Sequence, residues 1–347
     1  MDFGRNHSVE MNGQWTDNLT MENELGKTAK KMDTGRGFAL KRLRNITCPY
    51  TGIRMISGSE MNTIEQRLKG CKDLREKLYL LSRYAKCMQP VEHHVFDHII
   101  YFLDSNPDKQ LSDFFFSNYK GHLAKLKLEE FKVIDSVDTK SALLSTQTQM
   151  ELRRETTNCR NLILNGADGA FFKRKSFLTA LESIVAKNPY EQRVLSDIMN
   201  LALFLPTSGS SENAFMIKYA RRDEDEVLRR LIVASVATIE HVKPHSLGGD
   251  NSISNFLLVS SNGNKYRENV PLSVYIDRHP KIPEYCQTYI EEIIKNIHNG
   301  KMRGNESYPY RIRKTLFEQS EGRILLDLSG YRISEETAMQ LSDNYQA

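Results

Sequence analysis

Between Ser59 and about Leu205 the apolar residues recur three and four positions apart: Leu74, Leu78, Leu81 and Ala85, then Val91, Val95, Ile99 and Phe102, then Leu195, Ile198, Leu201 and Leu205. That spacing follows the turn of an α-helix and predicts a succession of amphipathic helices, each burying one face. Pro90, Pro107, Pro189 and Pro206 fall where such helices start or stop, because proline lacks an N–H and fixes φ. The stretch Thr207-Ser-Gly-Ser-Ser-Glu212 has no such period and reads as a linker, with a boundary near 210.

Past the linker the pattern changes. Asn213 to Leu231 keeps a helical period, Val236 to Val242 is rich in β-branched residues and predicts a strand, and Phe256-Leu-Leu-Val259 predicts the strand that returns. The loop between them carries turn chemistry in Pro244 and Gly248-Gly249-Asp250-Asn251. A short polar helix is expected from Gly263 to Asn269, ahead of Pro271. Glu284 to His298 predicts an amphipathic helix with Ile290, Ile293, Ile294 and Ile297 inward and Gly300 as its stop, and Ile324 to Ser329 predicts a short strand. The fold class expected is therefore mainly α with a small α+β module. Four regions follow: a partly basic tail over 1–44, a mainly helical region over 45–210, the strand–loop–strand–helix module over 211–280, and a helical extension over 281–347.

Composition narrows the function classes. The longest apolar stretches, such as the seven residues Leu231 to Ala237 with Ser235 among them, are far short of the roughly 18 that a membrane helix needs. The first twenty residues are polar and lack the apolar stretch of a secretory signal, so a cytoplasmic protein with no membrane contact is expected. Five scattered cysteines with no Cys-x-x-Cys pair support neither a disulfide framework nor a zinc ribbon. A net charge of +4 over 347 residues does not argue for nucleic acid, but Lys27 to Arg44 gathers seven cations against one anion. That segment suits a phosphate backbone or is simply a solvated basic stretch.

The residues that carry chemistry lie between Ile239 and Leu272. A hairpin there can bring Glu240-His241, at the end of one strand, near the helix that contains Asn264. Phosphodiester hydrolysis needs an activated water and a cation to neutralise charge on the phosphate. Glu240 and Asn264 offer the hard oxygen ligands that Mg²⁺ or Mn²⁺ takes, while His241, on the opposite strand face, can remain unligated and accept a proton. Lys243, Lys265 and Arg267 supply cations for the substrate backbone, or are ordinary surface charges.

This set resembles the HNH nucleases, the ββα-metal endonucleases, through Glu240-His241, Pro244, Ser246, Gly248-Gly249, Asn255 and Asn264. The gaps of 14 residues from His241 to Asn255 and 9 from Asn255 to Asn264 are similar to those in the HNH domain of RNA-guided CRISPR effectors. The resemblance covers roughly a tenth of the chain. It implies a metal-dependent DNA endonuclease in which His241 is the general base, Glu240 and Asn264 hold the metal, and Asn255 ties down the loop. The alternative is a catalytically inactive DNA-binding or scaffolding protein on the same fold, with the helical region docking a protein partner. Relatives often have Asp at the first metal position and His at the last. Many also carry two cysteine knuckles around zinc; here Cys48-Pro-Tyr-Thr51-Gly52 is similar to the first, with Ser260 and Gly263 where the second would be. One thiolate does not close a zinc site, so no structural zinc is expected. Should the Cys48 segment pack beside the module, the helices would be an insertion within it; otherwise they precede it.

A second cluster, Glu92-His93-His94-Val-Phe-Asp97-His98, sets His94 and His98 one helical turn apart. They are either a metal pair with Asp97 or a histidine-rich helix surface.

Overall fold

The computed structural model describes residues 40, 41, 43–166, 173–267 and 270–344. The tail and the basic segment expected over 1–44 lie outside them, apart from Leu40, Lys41, Leu43 and Arg44. Among the described residues the chain is mostly helical, with one two-stranded antiparallel sheet. No helix there is long and apolar enough to cross a membrane. The described residues form two compact units, one within Arg44–Thr238 and Val259–Glu268, the other within Ile239–Leu258 and Asn269–Ala347 together with Leu40, Lys41 and Leu43.

The first unit begins with α1 (Gly58–Gly70), α2 (Leu74–Ser82), α3 (Pro90–Ser105) and α4 (Leu111–Ser117). Their starts follow from local chemistry, because the first amides of a helix lack intrahelical acceptors. Ser57 Oγ accepts from Glu60 N at 3.2 Å, Asp73 Oδ1 accepts from Glu76 N at 2.9 Å, and Pro90 occupies a first-turn position of α3 where no N–H is needed. Four longer or paired helices follow: α5 (Tyr119–Ser141), α6 (Thr146–Asn165), α7 (Arg174–Glu182) and α8 (Pro189–Ala202). Their apolar faces meet in one core that includes Ile134, Leu152, Ile163, Phe177 and Ile198.

A single helix was the expectation over Asn213 to Leu231. The structure has two, α9 (Glu212–Tyr219) and α10 (Glu224–Val233). The break is made by Asp223, whose carboxylate accepts from Glu226 N at 2.7 Å and opens a new helix whose first turn is acidic. Both helices join α1 to α4 in a second core that holds Phe96, Ile99, Phe215, Leu228 and Leu231.

The strands are β1 (Ala237–His241) and β2 (Phe256–Ser260), and α11 (Ser261–Arg267) follows β2 without a break. The chain before β1 is also paired: Ile56 N donates to Ser235 O at 2.9 Å and Ala237 N to Ile56 O at 2.8 Å, a parallel bridge between Ile56 and Val236. All the helices from α1 to α10 therefore leave and re-enter at one hydrogen-bonded pair.

In the second unit come α12 (Leu272–Arg278), α13 (Ile282–His298), α14 (Tyr308–Gln319) and α15 (Glu335–Asn344). Ile290, Ile293, Ile294 and Ile297 of α13 are buried, and Gly300, at φ +71°, ends the helix with its N–H on Ile297 O at 2.8 Å. Ile324 to Ser329 is not a strand. Its alternation holds, with Ile324, Leu326 and Leu328 buried and Leu325 exposed. Side chains serve its amides in place of a ladder: Ser320 Oγ accepts from Ile324 N and Gln287 Oε1 from Asp327 N, both at 2.9 Å.

The edge of β2 in this unit is closed by two buried tyrosines. Leu258 N donates to Tyr289 Oη at 3.2 Å, the Tyr289 and Tyr308 hydroxyls are 2.9 Å apart, and Tyr308 Oη donates to Phe256 O at 2.9 Å. An edge strand leaves an N–H and a C=O two residues apart without a partner, and these hydroxyls bridge that pair.

Candidate active site

His241 ends β1, and the loop that follows is folded around it. Pro244 O accepts from Leu247 N at 2.9 Å and from Gly249 N at 3.0 Å, while Gly248 takes the left-handed conformation at φ +80°. Gly249 admits no side chain, since a Cβ there would stand 1.9 Å from Lys243 O. Asn255 closes the loop from below. Its Oδ1 accepts from Lys243 N at 2.7 Å, and its Nδ2 donates to Lys243 O at 3.1 Å and to Asp250 O at 2.8 Å. Buried at 4% exposure, Asn255 thus touches both the start and the turn of the loop that His241 leads into.

The His241 ring is half-buried. It meets Phe256 edge to face at 4.9 Å between centroids, stacks with His245 at 6.2 Å, and places Nε2 2.9 Å from Asn251 Oδ1. An amide oxygen only accepts, so Nε2 carries the proton and the ring's basic nitrogen is Nδ1. Asp250 beside it is held below the usual carboxylate range, first by the Ser252 hydroxyl and then by the Ser252 amide. Glu240 is buried on the opposite face of β1, a hard oxygen donor of the type a divalent cation takes. Lys243 is half-buried at the loop's start.

Asn264, Lys265 and Arg267 belong to the other unit, on α11. Asn264 Nδ2 donates to Thr238 Oγ1 at 3.3 Å, within that same unit. Lys265 is exposed. Arg267 is not available for a substrate backbone: it is 0% exposed, its Nη1 donates to Tyr50 Oη at 3.1 Å, and its guanidinium lies over the Tyr50 ring. The aromatic ring and hydroxyl that Tyr50 supplies make it a packing element, a correction to its expected role.

Tyr50 belongs to a small turn that begins at Cys48, where Cys48 N donates to Ile53 O at 2.8 Å and Gly52 N to Cys48 O at 2.9 Å. Cys48 Sγ accepts from Ser260 N at 3.2 Å, Ser260 Oγ accepts from Gly263 N at 3.0 Å, and a Cβ on Gly263 would stand 3.3 Å from Cys48 Sγ. Cys48, Ser260 and Gly263 converge, but they offer one thiol, one hydroxyl and no third side chain. That donor set does not suit tetrahedral zinc.

On α3, His94 and His98 are joined by a residue that sequence spacing did not reveal. Glu212 Oε2 lies 3.1 Å from His94 Nε2, and Glu212 Oε1 lies 3.1 Å from His98 Nδ1. Asp97, the expected third member, instead pairs with His93 at 3.3 Å. One residue of helical rotation carries Asp97 away from the face that His98 occupies.

Comparison with protein-family models, with curated proteins and with solved structures gives no match for the chain. Two functional candidates went unread in the sequence. Asn251 looked like turn chemistry alone; its place ten residues after His241 on a Gly-Gly turn was the available signal. Glu212 had none, because it is 114 residues from His98 in the chain.

Proposed function

We propose that the chain is a divalent-cation-dependent endonuclease of the HNH type that hydrolyses DNA phosphodiester bonds, with His241 as the general base. The observation that carries this reading is the hold on His241. Asn251 fixes its tautomer at Nε2, and Asn255 secures the loop behind it through both Lys243 and Asp250. A ring oriented in that way, half-buried and with Nδ1 as its basic nitrogen, is built to take a proton from water. Buried Glu240 and the side-chain oxygen of Asn264 fit Mg²⁺ or Mn²⁺ by donor chemistry. Such a cation, when bound, neutralises charge on the scissile phosphate and the departing 3′ oxygen. Lys243 and exposed Lys265 serve the DNA backbone. The meeting of Cys48 with Ser260 and Gly263, and the return of the chain from Ile56 to Val236, favour helices inserted within the nuclease module over helices that precede it.

A plasmid-nicking assay with Mg²⁺ or Mn²⁺ tests the reading. The wild type should release 5′-phosphate ends, and His241→Ala should cut more slowly by about 10²- to 10⁴-fold, the usual contribution of a positioned base. Cleavage by both proteins sinks the role of His241, and cleavage by neither leaves a DNA-binding or scaffolding module on this fold.

A further inference from the structure

We propose that His94, His98 and Glu212 form a separate metal site, one that takes a single transition-metal cation and suits zinc best. The site stands on geometry within the helical unit and uses none of the residues assigned to DNA cleavage.

Helix α3 sets the two imidazoles one turn apart on one face, with ring centroids at 4.1 Å. Glu212, the first residue of α9, reaches each ring with a different carboxylate oxygen, both at 3.1 Å. One ligand atom from each of the three residues can be chosen so that all lie within 4.8 Å of one another. Around a tetrahedral zinc with bonds of about 2.0 Å, neighbouring ligand atoms are roughly 3.3 Å apart. Whichever Glu212 oxygen ligates, one nitrogen–oxygen edge is already 3.1 Å, and the other edges, within 4.8 Å, are brought in by side-chain rotation. Two imidazole nitrogens and a carboxylate oxygen match the preference of zinc and its first-row neighbours, whereas Mg²⁺ and Ca²⁺ favour all-oxygen sets.

The carboxylate is also held in place from behind. Ser211 donates through Oγ to Glu129 Oε2 at 2.6 Å, and Asn213 donates through Nδ2 to Glu129 Oε1 at 2.6 Å. Asn213 Oδ1 in turn lies 2.8 Å from His122 Nδ1. Both neighbours of Glu212 are therefore pinned to one residue of α5, which lowers the entropy lost when Glu212 ligates. The three side chains are 55%, 47% and 28% exposed, and His94 borders a depression of about 470 Å³ that it shares with Ile53, Met88 and Pro90. Three protein ligands beside open solvent leave a fourth position for water or a small ligand, the pattern of a reactive or exchangeable site.

The alternative is a carboxylate hydrogen-bonded to two rings, for which 3.1 Å is equally suitable. Titration of the tag-free full-length chain with Zn²⁺ against a chromophoric chelator, and with Co²⁺ read by its visible absorption, separates the two. The wild type should bind one equivalent more than His94→Ala/His98→Ala, and only the wild type should give the Co²⁺ band of a four- or five-coordinate site. Glu212→Gln should weaken uptake by about tenfold or more, since it removes the anionic ligand while it keeps the side chain's shape. Equal stoichiometry and affinity in the wild type and the double variant would mean a hydrogen-bonded surface cluster only, and would overturn the proposal. His241→Ala should bind zinc as the wild type does. Loss of cleavage with uptake intact therefore counts only for the nuclease reading, and loss of uptake with cleavage intact only for this one.

Discussion

Asn251 Oδ1 stands 2.9 Å from His241 Nε2, so a residue in the turn of the loop selects which nitrogen of the ring can accept a proton. Removing the acceptor frees the ring to change tautomer and to rotate. Asn251→Ala is expected to lower kcat for DNA cleavage by about 10- to 100-fold with KM little changed, the scale seen when a partner that orients a catalytic or ligating histidine is lost. Asn251→Asp keeps an acceptor and adds a negative charge, which favours the imidazolium. Its activity should persist but require higher pH, with the acidic limb of the pH–rate profile displaced upward. Wild-type rates and an unmoved profile in both variants would rule out an orienting role for Asn251.

Gly249 is under a steric constraint of a different kind. Its missing Cβ would meet Lys243 O at 1.9 Å and Asn255 Nδ2 at 2.9 Å, and backbone does not yield as a flexible side-chain tip does. Gly249→Ala should therefore open the loop that Asn255 closes. The expected outcome is a loss of cleavage comparable to that of Asn255→Ala, with the far-ultraviolet spectrum unchanged because neither residue lies in an α-helix. If Gly249→Ala cuts DNA at the wild-type rate, the loop does not need this closure.

Much of the helical framework was legible because burial imposes a period: Val95 and Ile99, or Ile290, Ile293, Ile294 and Ile297, face inward as their spacing predicts. Local polar chemistry was readable in the same way, and Asn255, Gly248 and Gly249 each have a backbone reason for their identity. What escaped depends on long-range partners. Arg267 looked like a surface cation because sequence does not show that Tyr50, 217 residues away, receives its guanidinium. Ile324 to Ser329 has the alternation of a strand, yet pairing needs a neighbouring edge, and Gln287 and Ser320 side chains took its amides instead. Asp97 seemed the natural third partner of His94 and His98 because it is close in the chain; the carboxylate that reaches them comes from another helix.

The tyrosine bridge on β2 predicts a coupling between core and site. Tyr289→Phe removes the acceptor for Leu258 N, and Tyr308→Phe removes the donor to Phe256 O, in each case within a dry environment. A buried backbone group left without its partner costs about 1–3 kcal/mol, so each variant should lower stability by that amount in urea unfolding. The double variant should cost less than the two single costs combined, because the hydroxyls share one chain of hydrogen bonds. Strict additivity would show that the bridge does not act as a unit.

Glu191 gives the helical unit a defined weakness to acid. It accepts from Ser145 N at 2.8 Å, from Lys187 N at 3.0 Å and from Thr148 Oγ1 at 3.1 Å, which ties the start of α6 to the start of α8. Hydrogen bonds from the Ser145 side chain first, then from the Lys187 and Ser145 amides, hold its carboxyl at about 2, well below its ordinary value of 4.5. A carboxyl whose folded value is depressed binds fewer protons in the folded state than in the unfolded one. Its stabilisation is therefore complete above pH 4.5 and disappears as pH falls towards about 2. Glu191→Gln should unfold at a lower urea concentration than the wild type at pH 7, and the gap between the two midpoints should narrow steadily between pH 4.5 and pH 2. A gap that stays constant across that window would show that the charge of Glu191 contributes nothing beyond the shape of its side chain.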